Sequence, residues 1–287
     1  MEAPQTGSLE TQKIQARGGL QQLPVFRPVA LKLLRLFTDE DVDVQRVAGL
    51  LRTDPGLSAQ LLALANSPVY GNSHRVDSLP RALIILGFEK ARSLTLTVAV
   101  RSLVRDGRRI KASESCWQHS LATALLAEEL APLYQVSKDE AYMAALMHDI
   151  GRLGLLMAYG EHYAPLLEAT YRTIADSLAS EYALFGMDHC QAGLWLTQRW
   201  GFPPEYSRVA GCHHEDLPGR SGDLASLTRL ACALADALNF GAVKVSGRAS
   251  VADLVAQLPS SAWTPFRFDE EEAGKRIAAH IAAIEAQ

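Results

Sequence analysis

Apolar residues recur three and four positions apart along most of the chain, the spacing that gathers them on one face of an α-helix. From Pro28, which can open a helix, Ala30, Leu33, Leu34 and Phe37 share such a face, and Val44, Val47, Ala48 and Leu51 form the next. Asp54-Pro55 joins an N-cap residue to a first-turn proline; Leu57, Leu61 and Leu64 follow on one side until Asn66-Ser67-Pro68 ends the run. After the loop "NSPVYGNSHRVDS", Leu79-Pro80 starts a helix that Gly87 closes, and a longer one is predicted over 88–104. Further helices are predicted near 115–131, 138–158, 162–185, 187–200, 204–213 and 223–240, punctuated by Gly201, Pro203, Pro204 and Gly241. A last amphipathic helix follows "FDEEEAGK" and aligns Ile277, Ile281 and Ile284. No series of period-two runs with hairpin turns occurs, and "SLTLTVAV" at 93–100 suits a buried helix as well as a strand. The expected fold class is all-α, a helical bundle.

Punctuation and polarity divide the chain into four stretches. Residues 1–19 read as a mobile polar leader ending in Gly18-Gly19, 20–105 as an N-terminal helical subdomain, 106–245 as a second helical unit and 246–287 as a helical extension. The basic stretch "RDGRRIKAS" at 105–113 is the expected boundary, read as a solvated connection.

Composition adds mainly exclusions. With 48 % hydrophobic and 21 % charged residues the 287-residue chain is of ordinary globular type, and its net charge of −4 advertises neither nucleic acid nor an anionic membrane. No predominantly apolar run approaches the roughly 18 residues of a membrane span, and the N-terminus lacks the apolar core of a signal peptide, so a cytoplasmic location is expected. Cys116, Cys190, Cys212 and Cys232 are far apart, form no CxxC pair and read as reduced thiols packing as small hydrophobes.

The candidate chemistry lies in the histidines. Six of the eight fall between positions 119 and 214, namely His119, His148, His162, His189, His213 and His214. His119 shares a stripe with Ala122, Leu126 and Leu130, and His189 one with Gly193, Leu196 and Trp200; both rings should therefore face inward. His148 and Asp149 interrupt the apolar segment "AALMHDIGRLGLL", and Asp236 interrupts "LTRLACALADALNF". Burying such groups without partners costs several kcal/mol, so they must satisfy one another or share a cation. Neutral imidazoles and bridging carboxylates suit Mn, Fe, Co, Ni or Zn, and a helical bundle can converge them on one cavity.

"HDIG" at 148–151, with His119 before it and "DHCQAG", "GCHHE" and "LADALN" after it, resembles the HD superfamily of metal-dependent phosphohydrolases. The ordered series "LPVFRPVALKLL", "LLRTDPGLSAQLLALANSPVYG", "LPRALIILGFEKARSL", "AALMHDIGRLGLL", "DHCQAGLWLTQRWGFPPE" and "GCHHE", over residues 20–240, resembles more closely the HDOD family, HD-related output domains of bacterial signalling. The resemblance implies an N-terminal helical subdomain packed on an HD-type metal-site domain. It implies one metal held by His119, His148, Asp149 and Asp236 and a second by His189, His213 and His214, with Asp149 shared: two divalent transition-metal ions drawn from Fe, Mn, Ni or Zn. Arg152 stands where related proteins often carry a phosphate-facing lysine, so Asp149 and Arg152 are the expected catalytic residues. Ser115 replaces a third-metal glutamate and "HHEDLPGRSGD" lacks a Gly-Tyr-Pro triad, so specificity for cyclic-di-GMP is not implied. Many HDOD proteins are regarded as non-catalytic modules. The expected function is thus a regulatory module with a signalling protein partner, retaining a two-metal site; the alternative is an active phosphohydrolase acting on a nucleotide or other phosphoester through a metal-bridging hydroxide.

Overall fold

A computed structural model describes residues 14–24, 26–37, 39, 41–68, 75–106, 111–215, 223–259 and 268–285. In chain order it contains α1 (Ala16–Gln22), α2 (Pro28–Leu36), α3 (Val44–Leu51), α4 (Pro55–Ala65), α5 (Leu79–Asp106), α6 (Lys111–Tyr134), α7 (Lys138–Met147) and α8 (Ile150–Glu168). Then follow β1 (Thr170–Tyr171), α9 (Ile174–Phe185), α10 (His189–Trp200), α11 (Pro204–Cys212), α12 (Leu224–Ala237), β2 (Lys244–Val245), α13 (Val251–Val255) and α14 (Glu270–Glu285). The all-α expectation holds, with one small addition: β1 and β2 pair in parallel, Thr170 beside Lys244 and Tyr171 beside Val245.

Local signals place most helix ends. Asp54 caps α4 by accepting from the Leu57 N–H, with Pro55 in the first turn, and Asp223 caps α12 by accepting from Ala225 and Ser226. Gly87, at φ 74°, breaks α5 where the sequence closes its first helix. Thr173 and Asp176 form a reciprocal capping box that starts α9 and divides the helix predicted over 162–185. The helix predicted over 138–158 is also divided: α7 ends at His148 and α8 begins after Asp149, whose φ and ψ of −100° and 18° leave the helical region.

The central packing is α6 against α7 and α12, with α8 on α6 and α10, and α11 on α10 and α7. Helix α5 joins the two expected units, packing on α2, α3 and α4 as well as on α6 and α7. One apolar core runs from Leu33 and Leu57 through Trp117 and Leu121 to Leu196 and Leu234. Within the stretch expected as a leader, residues 1–13 lie outside the described residues, and 16–19 form the first turn of α1 on α8 and α10. Ala16 and Leu20 are buried, and the Gly19 N–H donates to the Tyr159 hydroxyl at 2.8 Å. A Cβ at Gly19 would stand 2.5 Å from that ring, so the glycine read as a flexible element permits a close approach instead. Part of the expected boundary stretch, 107–110, lies outside the described residues. Among the described residues no helix is long and apolar enough to cross a membrane.

Candidate metal centre

Helices α6 and α10, the corner between α7 and α8 and the end of α11 bring polar groups into this core. His119 projects from the middle of α6, His148 caps the end of α7, Asp149 precedes α8, His189 opens α10 and His213 caps the end of α11. All five are buried. The HD pair therefore lies at a corner between helices rather than inside one, and Asp149 makes no capping bond to α8, which leaves its carboxylate free to face the other side chains.

The ring orientations follow from what each Nδ1 meets. The partner is the Phe240 carbonyl at 3.0 Å for His119, Ala145 at 2.6 Å for His148, and Ala210 at 3.2 Å for His213. For His189 it is the Glu181 carboxylate, at 2.7 Å. All four are acceptors, so each Nδ1 carries a proton and, in the neutral ring, Nε2 presents a lone pair. Those Nε2 atoms converge. His119 and His148 are 3.2 Å apart at Nε2, while Asp149 Oδ1 lies 3.3 Å from His189 and 3.4 Å from His213. The other carboxylate oxygen, Oδ2, faces His119 at 3.8 Å and His148 at 3.9 Å. Asp149 thus stands between two imidazole pairs, one on each oxygen, and its Oδ1 has no hydrogen-bond donor of its own.

His214 and Asp236 occupy the margins. The His214 ring lies 4.1 Å from that of His213, centroid to centroid, and its buried Nε2 has no hydrogen-bond partner. Asp236 faces the Nδ1 edge of His119 at 3.7 Å, away from the Nε2 cluster, and the Arg248 guanidinium lies 3.9 Å from the same oxygen. Arg152, expected to face a phosphate, is only 1 % exposed. Its Nε donates to Asp149 at 3.0 Å and its Nη1 to Glu181 at 2.9 Å and to the Tyr163 hydroxyl at 3.2 Å.

Electrostatics make the enclosure a place for positive charge. Burial pushes His148 and His214 well below the ordinary imidazole value, so both stay neutral. Burial also opposes the charge of Asp149, but Arg152, then His148 and His189, hold its carboxyl well below the usual range. Glu181 follows the same pattern, with burial overcome by His189 and Arg152 and a pKa of about 2. On the other wall burial, and Arg152 beside it, disfavour charge on His189, yet Glu181, Cys190 and Asp149 raise it to about 10; His213, opposed by burial, is raised to about 9 by Cys190 and Asp149. An imidazole set with fixed Nδ1 donors, a two-sided carboxylate with an orphaned oxygen and nearby thiols is a donor set suited to transition-metal cations.

Three participants escaped the sequence reading. Glu181 binds both the ring and the main-chain N–H of His189, the latter at 2.8 Å. Its signal was available, because Ser177, Glu181 and Phe185 share the buried face of α9. Cys190 Sγ lies 3.6 Å from His189 Nε2, and Cys232 Sγ 3.4 Å from His119 Nε2. His189, Cys190, His213 and His214 make one group able to hold an ion; His119, His148 and Cys232 make another, and His148, Asp149 and His213 a third. Gly151 explains the last letter of HDIG, since a Cβ there would stand 1.9 Å from the His189 carbonyl oxygen.

Comparison with known proteins agrees with this architecture. The chain aligns at 23 % identity over 203 residues with an uncharacterized protein of Treponema pallidum (strain Nichols), covering 69 % of this chain but 39 % of the relative. The chain therefore spans about two fifths of that relative's length. An HDOD domain protein of unknown function from Geobacter sulfurreducens superposes with a TM-score of 0.74 at 25 % identity, over 95 % of each chain. A protein of Shewanella amazonensis SB2B, provisionally named a phosphohydrolase, gives 0.68 at 23 % identity over 96 % of this chain and 97 % of its own. A family profile for the HDOD domain matches residues 23–216, the span from the helix-opening Pro28 region through both histidines of "HHE", and on that match this chain belongs to the HDOD family.

Proposed function

We propose that this HDOD chain is a regulatory module of bacterial signalling whose HD-type centre holds two divalent transition-metal ions as a lock on helices α6, α7, α8, α10 and α11. His119 and His148 serve one ion, His189, His213 and His214 the other, and Asp149 bridges them. Asp236 faces the Nδ1 side of His119 and would position that ring. A locking role suits ligands drawn from five separate elements, because each bond to a shared cation replaces a costly unpartnered polar group. Fe, Mn, Ni and Zn all fit imidazole and carboxylate donors. The four free cysteines are consistent with a reducing, cytoplasmic setting. The protein partner would dock on the N-terminal unit, where Ile84 stands 70 % exposed beside the Gly87 break.

The observation that carries this choice over turnover is Arg152. A phosphoester would need its positive charge, but the guanidinium is enclosed and already paired with Asp149 and Glu181. The phosphohydrolase reading draws support from the margin of the site, where the buried His214 Nε2 has no hydrogen-bond partner and the Asp236 side chain is 19 % exposed. Bound ions would there supply Lewis acidity to a phosphoester.

Elemental analysis of the purified chain, followed by hydrolysis assays on bis(p-nitrophenyl) phosphate and p-nitrophenyl phosphate with Mn(II) or Fe(II), separates the two. Bound metal without hydrolysis is expected. Hydrolysis that vanishes in Asp149→Ala overturns the module in favour of the enzyme, and absence of metal overturns both.

A further inference from the structure

We infer that Cys190 and Cys232 are metal ligands, one in each half of the centre, so that the site is a mixed imidazole–thiolate pair selecting zinc. The inference rests on the reading that the centre holds metal and adds the donor chemistry that decides which metal.

The distances carry it. Around a tetrahedral ion with metal–nitrogen bonds of about 2.0–2.1 Å and metal–sulfur bonds of about 2.3 Å, nitrogen donors stand about 3.3 Å apart and a nitrogen and a sulfur about 3.5 Å apart. His119 and His148 Nε2 are separated by 3.2 Å, and Cys232 Sγ lies 3.4 Å from His119 Nε2. These match two edges of one such tetrahedron. In the other half Cys190 Sγ lies 3.6 Å from His189 Nε2 and 4.0 Å from His213 Nε2. Both thiols are buried, so neither competes with solvent for its position.

Helix α12 supplies the independent observation. Cys232 and Asp236 stand one turn apart on the same side of it. Yet the thiol meets the Nε2 edge of His119, whereas the carboxylate meets the Nδ1 edge that already donates to Phe240. Cys232 is therefore the first ion's ligand from α12, and Asp236 positions the ring. On binding, each thiol loses its proton to water as the metal–sulfur bond forms, with no change of oxidation state. Soft sulfur beside imidazole favours zinc over manganese, which prefers oxygen donors.

The test uses the full-length protein loaded with cobalt(II), whose bonds to thiolate give an intense near-ultraviolet charge-transfer absorption. That absorption should fall by about half in Cys190→Ser and in Cys232→Ser and disappear in the double variant, as expected for one sulfur per ion. It should persist in Cys212→Ser, whose thiol belongs to none of the groups of candidate ligands. Zinc-loaded wild type, which needs no substitution to fold, should show a zinc–sulfur shell at about 2.3 Å by X-ray absorption. Cobalt bound without the charge-transfer absorption, or with an absorption unchanged in the Cys190→Ser, Cys232→Ser double variant, overturns thiolate ligation while leaving the metal centre standing. Failure of the wild type to bind cobalt or zinc overturns the metal reading itself.

Discussion

His119 and His148 point their Nε2 atoms at one another across 3.2 Å while each Nδ1 donates to a main-chain carbonyl. Two neutral rings so fixed oppose lone pair to lone pair, an arrangement that a cation between them relieves. On the other side Asp149 Oδ1 faces His189 at 3.3 Å and His213 at 3.4 Å, and both rings are drawn toward the charged form there, so this half too is arranged around positive charge.

Asp149→Ala removes the carboxylate that faces both imidazole pairs, and bound metal should be lost, as read by elemental analysis. In the wild type a chelator should lower Tm, because a ligand present at a hundred times its Kd stabilises the folded state by about 2.7 kcal/mol. Tm of the variant should be insensitive to chelator. An equal chelator response in both proteins would contradict the assignment.

Glu181 fixes His189 and neutralises Arg152 from one carboxylate. Glu181→Ala leaves a buried guanidinium short of a partner and should destabilise by about 3–5 kcal/mol in chemical denaturation. Glu181→Gln keeps the volume but weakens the acceptor, and the metal affinity should drop about 10- to 100-fold in a competition titration against a chromophoric chelator. Unchanged affinity would mean that His189 needs no orienting partner.

Gly151 brings α8 against the first turn of α10. The added methyl of Gly151→Ala would meet main-chain atoms, the His189 oxygen at 1.9 Å and the Gly193 nitrogen at 2.6 Å, which cannot swing aside as a side chain would. A loss of about 3 kcal/mol or more is expected, together with weakened metal binding because His189 must move. Gly49→Ala in α3 meets nothing within 4 Å and should instead stabilise by about 0.5–1 kcal/mol. Thermal denaturation of the two variants side by side checks the contrast.

Asp223 starts α12, the helix of Cys232 and Asp236, accepting from two main-chain N–H groups, from Ser226 and from Arg208. Burial opposes its charge, but Ser226 and Arg208 hold its carboxyl below the ordinary value. The stabilisation is therefore complete above the unfolded-state value of about 3.9 and is lost as pH falls through the lower folded-state value. Asp223→Ala should cost about 1 kcal/mol at neutral pH, and the Tm gap to wild type should close in acid. A gap that widens in acid would refute the assignment.

Much of this was legible from sequence, and the misses share a cause. The Asp54 cap, the Gly87 break and the inward faces of His119 and His189 follow from local chemistry and helical spacing. The corner at His148–Asp149 did not, because an apolar segment with no glycine or proline before the pair carries the same periodicity whether or not the helix turns there. The enclosure of Arg152 did not follow either, because its partner Glu181 lies 29 positions away on another helix. The cysteines were read as packing groups, which is how a buried thiol looks until the neighbouring rings are in place.

The sequence by itself determined the helical class, most helices with ends such as Asp54 and Gly87, and the histidines and aspartates turned toward the interior, because these depend on spacing within a few turns of one chain segment. The tertiary structure alone decided which ring nitrogen faces the centre, that Asp149 divides its two oxygens between two imidazole pairs, and that Arg152 is enclosed and neutralised. Periodicity sets the side of a helix on which a residue lies; the height and angle at which the next helix meets it come from packing, here from the contact of α8 with α10 that Gly151 allows.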